Sequence, residues 1–154
     1  MTYDRPVAVF DVDGFVADGS WRLPLLGPRP STASRQAWAA FFDAAGADRP
    51  IPSGVALAHH FAADNDVVWL TARSDRIYQL TADWLRQHEL PDGELVMRPD
   101  DDLRPSPVWK LERLHMIAAV RSIAVVVDDD HRVLKMAAEQ GFPAQLAPAA
   151  MPSR

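Results

Sequence analysis

Two carboxylates one residue apart close an apolar run, in the order Val7-Ala8-Val9-Phe10-Asp11-Val12-Asp13-Gly14. Side chains alternate along a strand, so Asp11 and Asp13 are expected on the same side of the chain. Like charges so close are costly unless a cation or a shared proton relieves them. Gly14 permits the sharp turn that takes the chain away from such a site. Alone, these residues fit equally well a solvated strand end with its acids in a turn. A second run repeats the design, Ile123-Ala124-Val125-Val126-Val127-Asp128-Asp129-Asp130. Three adjacent acids usually mark a solvated turn or a helix N-terminus. Two acid clusters, each ending an apolar strand, are harder to dismiss, and together they offer the hard oxygen ligands that suit Mg²⁺.

Two further features would complete a site for a phosphoryl group, whose oxygens need donors and positive charge. Val67-Val68-Trp69-Leu70-Thr71-Ala72-Arg73 ends a strand in a hydroxyl and places an arginine two residues on. Lys110 begins a helical segment after a Pro-rich stretch. Singly, each has a plain explanation: Thr71 as a helix cap, Arg73 and Lys110 as surface charges.

The elements that must position these groups follow from periodicity. Strand-length apolar runs occupy 7–10, 67–70, 94–97 and 123–127, with a weaker one at 144–146. Between them lie helical patterns. Ile77, Leu80, Trp84 and Leu85 share a face of a segment over 75–88, which Asp75 would cap and Pro91 would stop. Leu111, Leu114 and Ile117 mark another helix, Val133, Leu134, Met136 and Ala137 a third, and 55–63 a fourth begun by Ser53. Strands alternating with helices predict a parallel sheet covered on both faces. Ligands of such sheets bind beyond the carboxyl ends of the strands, where both acid clusters fall. Residues 18–52 break the rhythm. A loop over 23–34 and an amphipathic segment over 36–45, with Trp38, Phe41 and Phe42, read as a small cap insertion over the sheet's edge. Trp21 and Arg22 would stand at the mouth of the site, as candidates to touch substrate. A second irregular stretch covers 98–107, and 148–154 reads as a loose tail.

A chain of 154 residues fits one domain, 1–154, with 18–52 as its insertion. Hydrophobic content of 48% beside 24% charged residues is that of an ordinary globular protein. The absence of cysteine excludes disulfides, thiolate zinc sites and cysteine nucleophiles. A net charge of −5 gives no basic footprint for nucleic acid, although a local patch remains compatible with it. Residues 1–6 are polar, and no apolar stretch approaches the ~18 residues of a membrane span, so a cytoplasmic protein off the membrane is expected. His59 and His60 are adjacent and diverge on a helix, while His88, His115 and His131 have no spacing typical of zinc. No GxxxxGK[ST] motif occurs, which argues against a nucleotide kinase.

The order acid pair, Thr71, Lys110, acid pair resembles the four motifs of the haloacid dehalogenase superfamily, over nearly the whole chain. Within it the chain is similar to the phosphatase domain of phage-type polynucleotide kinase and its stand-alone bacterial relatives. That likeness rests on Phe10 to Gly14 with Ala17-Asp18, Phe41-Phe42, Leu70-Thr71-Ala72-Arg73 with Thr81 and Trp84, Met97-Arg98-Pro99, Arg104-Pro105, Lys110, and Val127-Asp128-Asp129 with Val133 and Met136. The resemblance implies an α/β fold, a doubly wound parallel sheet in the order third, second, first, fourth, fifth, and hydrolysis of a phosphate monoester. It implies Asp11 as the nucleophile that becomes an aspartyl phosphate, and Asp13 as general acid and then base. It implies Mg²⁺ on Asp11, the backbone carbonyl of Asp13 and Asp129, with Asp128 in support. Thr71 would bond the phosphoryl oxygens, Lys110 would neutralise charge, and Arg73 and Arg22 would contact the substrate. The substrate it points to is a 3′-phosphorylated nucleic-acid end. A nucleotide or sugar phosphate, a silent phosphate- or partner-binding role, and service beside a separate kinase or ligase are the alternatives. Phe15 and Ala72 depart from the family's usual small residues and leave substrate fit open.

Overall fold

The computed structural model describes residues 5–148, so all of the expected tail except Pro148 lies outside the described residues. In chain order the strands are β1 (Val7–Phe10), β2 (Ala17–Asp18), β3 (Arg49–Pro50), β4 (Asp66–Ser74), β5 (Glu94–Arg98), β6 (Ile123–Asp128) and β7 (Ala144–Leu146). The helices are α1 (Arg35–Asp43), α2 (Pro52–Ala62), α3 (Tyr78–Gln87), α4 (Ser106–Ala118) and α5 (His131–Glu139). Five strands form one parallel sheet in the order β5-β4-β1-β6-β7, the doubly wound arrangement expected from the sequence.

The strands are apolar on both sides because helices cover both sides. Ala8 and Phe10 of β1 pack with Trp69, Ala58 of α2, and Trp84 and Leu85 of α3. Val7 and Val9 turn the other way, onto Trp109 and Leu114 of α4 and Ala137 of α5. Each fully buried Val, Leu or Phe contributes roughly 1.5–3 kcal/mol, so the central strand is held hard from both faces. Register then does the positioning. Phe10 stands beside Trp69 on one side and Val127 on the other, which brings the ends of three strands level. Asp11 follows Phe10 and Asp128 follows Val127, so the two carboxylates emerge side by side.

Several boundaries differ from the sequence reading for local reasons. β4 runs on through Thr71 to Ser74, with an irregularity in its pairing to β5 between those residues. Ser74, not Asp75, caps the next turn: its hydroxyl accepts from the Arg76 amide, while Asp75 accepts from the Asp100 amide. A 3-10 turn over Asp75–Ile77 therefore precedes α3, which ends at Gln87, with Glu89 in the left-handed region before Pro91 is reached. α2 starts at Pro52, whose ring suits the first helical position, so Ser53 lies inside the helix. The segment over 18–52 holds a 3-10 stretch (Ser20–Leu26), α1 capped by Ser34, and the short antiparallel ribbon β2–β3 that closes its base. No helix among the described residues is long and apolar enough to cross a membrane.

Candidate active site

Asp11 lies just past β1, buried, its amide donating to the Val127 carbonyl at 2.9 Å. Lys110 reaches it from α4. The neighbouring Trp109 is fully buried on the sheet and fixes that turn of helix, and the Lys110 Nζ donates to Asp11 Oδ1 at 3.0 Å and to Asp128 Oδ2 at 2.8 Å. The three acids after β6 separate into different tasks. Asp128 is buried under Lys110, Asp129 is exposed, and Asp130 caps α5 by accepting from the Arg132 amide at 2.9 Å. Oxygens of Asp11, Asp128 and Asp129 lie within 4.8 Å of one another.

This trio fits a hard divalent cation. Burial, and then the charges of Asp128, Asp129 and Asp13, push the Asp11 carboxyl well above its usual range against the pull of Lys110. Asp129, exposed as a whole residue, is also raised, first by desolvation of its carboxyl where it meets the protein and then by the charge of Asp128. One lysine does not balance three carboxylates, and a divalent ion against these oxygens would relieve the excess. Space is kept for the acids as well. Gly14 has φ +77°, and a Cβ there would lie 1.9 Å from Asp129 Oδ2. The turn it makes returns through Val12, whose carbonyl accepts from the amides of Phe15, Val16 and Ala17. Phe15 is buried behind this loop with its ring 5.4 Å from that of Phe10, so the residue that departs from the family pattern serves the core. α2 passes so close that a Cβ on Gly54 would meet the Phe15 carbonyl oxygen at 1.7 Å.

Asp13 sits on the other flank, its side chain 39% exposed. Arg73 grips it twice, Nε to Oδ2 at 3.0 Å and Nη2 to Oδ1 at 2.8 Å. Arg22 Nη2 adds a bond to Oδ1 at 3.1 Å. Burial pushes the Asp13 carboxyl up, but the charge and hydrogen bonds of Arg73, then the charge of Arg22, outweigh it and hold the group below its ordinary value. Behind the arginines lies Asp48, fully buried, accepting from Arg22 Nε and Nη2 at 2.8 Å each and from Arg73 Nη2 at 3.2 Å. Arg22 also donates to the Phe41 carbonyl and Arg73 to Thr81 Oγ1. Both guanidinium groups are thus buried and directed at protein acceptors, Asp13 among them. Two buried arginines need anions, which the buried Asp48 and the partly exposed Asp13 supply.

Thr71 is buried at the end of the β4 ladder, where its Oγ1 accepts from the Arg73 amide at 3.1 Å. It therefore sets the backbone turn that aims Arg73 at Asp13. Trp21 is half exposed, with its indole donating to Asp48 at 2.9 Å. Asp48 is the residue that sequence reasoning missed. Its one signal was indirect: any arginine buried in this cap requires an acid from the same insertion. His59, His60, His115 and His131 are exposed and His88 is half-buried, and none of them belongs to the trio.

No family model matches the chain, and no curated protein sequence matches it either. Solved structures do. A chain of the Pnkp1/Rnl/Hen1 RNA repair complex superposes with a TM-score of 0.73 at 19% identity, covering 95% of this chain and 43% of that one. This chain thus spans less than half the length of that neighbour. The class C acid phosphatase from Bacillus anthracis with tungstate bound gives a TM-score of 0.67 at 13% identity, over 98% of this chain and 69% of that one. The haloacid dehalogenase-like hydrolase SP0104 from Streptococcus pneumoniae gives 0.60 at 15% identity, over 94% and 84%. The five-stranded sheet, its order and these neighbours define a haloacid dehalogenase-like fold.

Proposed function

We propose that this chain is a Mg²⁺-dependent phosphomonoester hydrolase working through an aspartyl phosphate on Asp11. One observation carries the reading: a buried carboxylate at the end of the central strand, bonded to Lys110 and grouped with two further carboxylates, faces a second acid held apart by two arginines.

In the first step the Asp11 carboxylate attacks phosphorus and the bond to the leaving alcohol breaks, while Asp13 gives its proton to the departing oxygen. Negative charge from a phosphoryl group beside Asp13 raises its proton affinity and opposes the arginines. In the second step Asp13 takes a proton from water, which attacks phosphorus, frees phosphate and restores Asp11. Lys110 offsets charge at Asp11, and the Thr71 hydroxyl would donate to a phosphoryl oxygen. Mg²⁺, held by Asp11, the Asp13 backbone carbonyl and Asp129 with Asp128 in support, would balance charge on the phosphoryl oxygens. Arg22 and Arg73 fix the direction of Asp13, and from there their positive charge would also act on the substrate. The 18–52 segment acts as a small cap on the single domain.

A 3′-phosphorylated nucleic-acid end is the substrate this reading favours, supported by the likeness to a chain of an RNA repair complex. A nucleotide or sugar phosphate is the second reading, favoured by the net charge of −5. Phosphate release from these three classes, with Mg²⁺ and then excess chelator, tests the proposal. Activity is expected only with the ion, and Asp129→Ala is expected to need more of it. At a hundredfold excess over its dissociation constant, Mg²⁺ contributes about 2.7 kcal/mol of stability, a melting shift of roughly 5–10 °C for a chain this size. Ion-independent turnover with no melting shift would remove the metal from the account.

A further inference from the structure

Between α1 and the loop after β5 opens a cleft of about 660 Å³. Its apolar wall is Trp38 and Phe42, half-buried on α1 with ring centroids 5.7 Å apart and planes at 32°. Ser74 and Arg76 line it from the end of β4, and Arg98 and Asp100 from the far side. The cleft adjoins the site through covalent neighbours. Ser74 follows Arg73, which grips Asp13, and Phe41, next to Phe42, carries the Arg22 guanidinium 4.3 Å over its ring. At about 3.3 Å per strand residue, Ser74 is roughly 10 Å beyond Thr71.

The rim is polar but balanced. Arg35, Arg76 and Arg98 face Asp100, Asp101 and Asp102. Asp100 accepts from the Ser74 hydroxyl at 2.6 Å, and Arg76 reaches Asp43 at 3.4 Å, so parts of the rim brace each other. Without an excess of positive charge, the cleft is ill suited to a run of phosphates, whose binding draws on Lys and Arg. A flat aromatic wall edged with donors and acceptors suits one heterocycle, stacked on its face and bonded at its edge.

We propose that this cleft seats the nucleobase attached to the phosphomonoester being hydrolysed, with Trp38 as its stacking surface. The inference rests on the hydrolase reading above and assigns its substrate as a nucleotide unit, either free or at the end of a nucleic acid.

The test compares a nucleoside 3′-monophosphate, the matching 3′-phosphorylated oligonucleotide, and the same oligonucleotide with an abasic final residue. Wild-type protein is expected to favour the base-bearing oligonucleotide over the abasic one by at least about fivefold in kcat/KM, through KM, the lower range of base–aromatic stacking. Trp38→Leu, which keeps apolar bulk against Phe41 and Phe42 without the π-face, is expected to erase that preference, and Trp38→Phe to keep most of it. Equal rates for nucleotide and oligonucleotide assign the free nucleotide as the source; a gain on the oligonucleotide assigns the nucleic-acid end. The same three ligands are titrated by calorimetry against Asp11→Asn protein with and without Trp38→Leu, which reads the cleft without turnover. No difference between base-bearing and abasic ligands, or a difference that Trp38→Leu leaves intact, overturns the inference even if hydrolysis is robust. Trp38-dependent preference in binding, without hydrolysis by the wild type, would instead sink the hydrolase reading and keep the cleft.

Discussion

Asparagine in place of Asp11 is expected to lower phosphomonoester turnover by at least about 10⁴-fold while the fold stays intact. The amide cannot attack phosphorus, yet its oxygen can still accept from the Lys110 Nζ that lies 3.0 Å from Asp11 Oδ1. Lys110 also keeps Asp128 as an anionic partner. Stability should move in a defined direction. The Asp11 carboxyl is raised in the folded chain above its ordinary 3.8, so its protonated form favours folding, and that contribution is lost as pH rises through the raised value. In chelator at pH 7, Asp11→Asn protein should therefore melt at or above the wild type, and the gap should close as pH falls towards about 4. Circular dichroism melts across that range check the sign, and a variant that melts lower at pH 7 would contradict the crowding described for the carboxylates.

Asp48→Ala is expected to be the most damaging single truncation of the insertion. It leaves Arg22 and Arg73 buried with Asp13 as their remaining carboxylate. Removing one partner from a buried ionic cluster costs about 3–5 kcal/mol, and at roughly 2–4 °C per kcal/mol the melting point should fall by about 10 °C. Activity should fall too, because the arginines that aim Asp13 lose their backing. Asp48→Asn keeps the shape and one acceptor oxygen but turns an amide donor toward the guanidinium groups, and should land between. Asp48→Ala protein with the wild-type melting point and urea midpoint would show that the cluster does not hold the insertion on the sheet.

The carboxylate half of the candidate site was legible in the sequence because its signals are local. Apolar strands of four to six residues ending in acids announce themselves, and the sheet rule places their ends together. Even there the plain reading held for one residue, since Asp130 is a helix cap. The cap half was not legible. Asp48 stands alone in Ala-Gly-Ala-Asp-Arg-Pro, and it acquires meaning from arginines 26 and 25 residues away. Strands of two residues, β2 and β3, are too short to show alternation. The sequence sets Arg22 at the mouth of the site because it follows Asp18, and the family resemblance sets Arg73 at the substrate, but neither shows that both side chains are buried. Their burial is a tertiary property, and it turns the same donors onto Asp13.

The central claim is that phosphorus passes through Asp11. It is tested most directly by mixing the protein and Mg²⁺ with ³²P-labelled substrate, quenching in acid within a single turnover, and mapping the labelled peptide. The account expects label on the peptide bearing Asp11, released by hydroxylamine as an acyl phosphate must be, and absent from Asp11→Asn protein. Label on any other residue, or full turnover with no labelled protein at the earliest times and unchanged rates in Asp11→Asn, would contradict it.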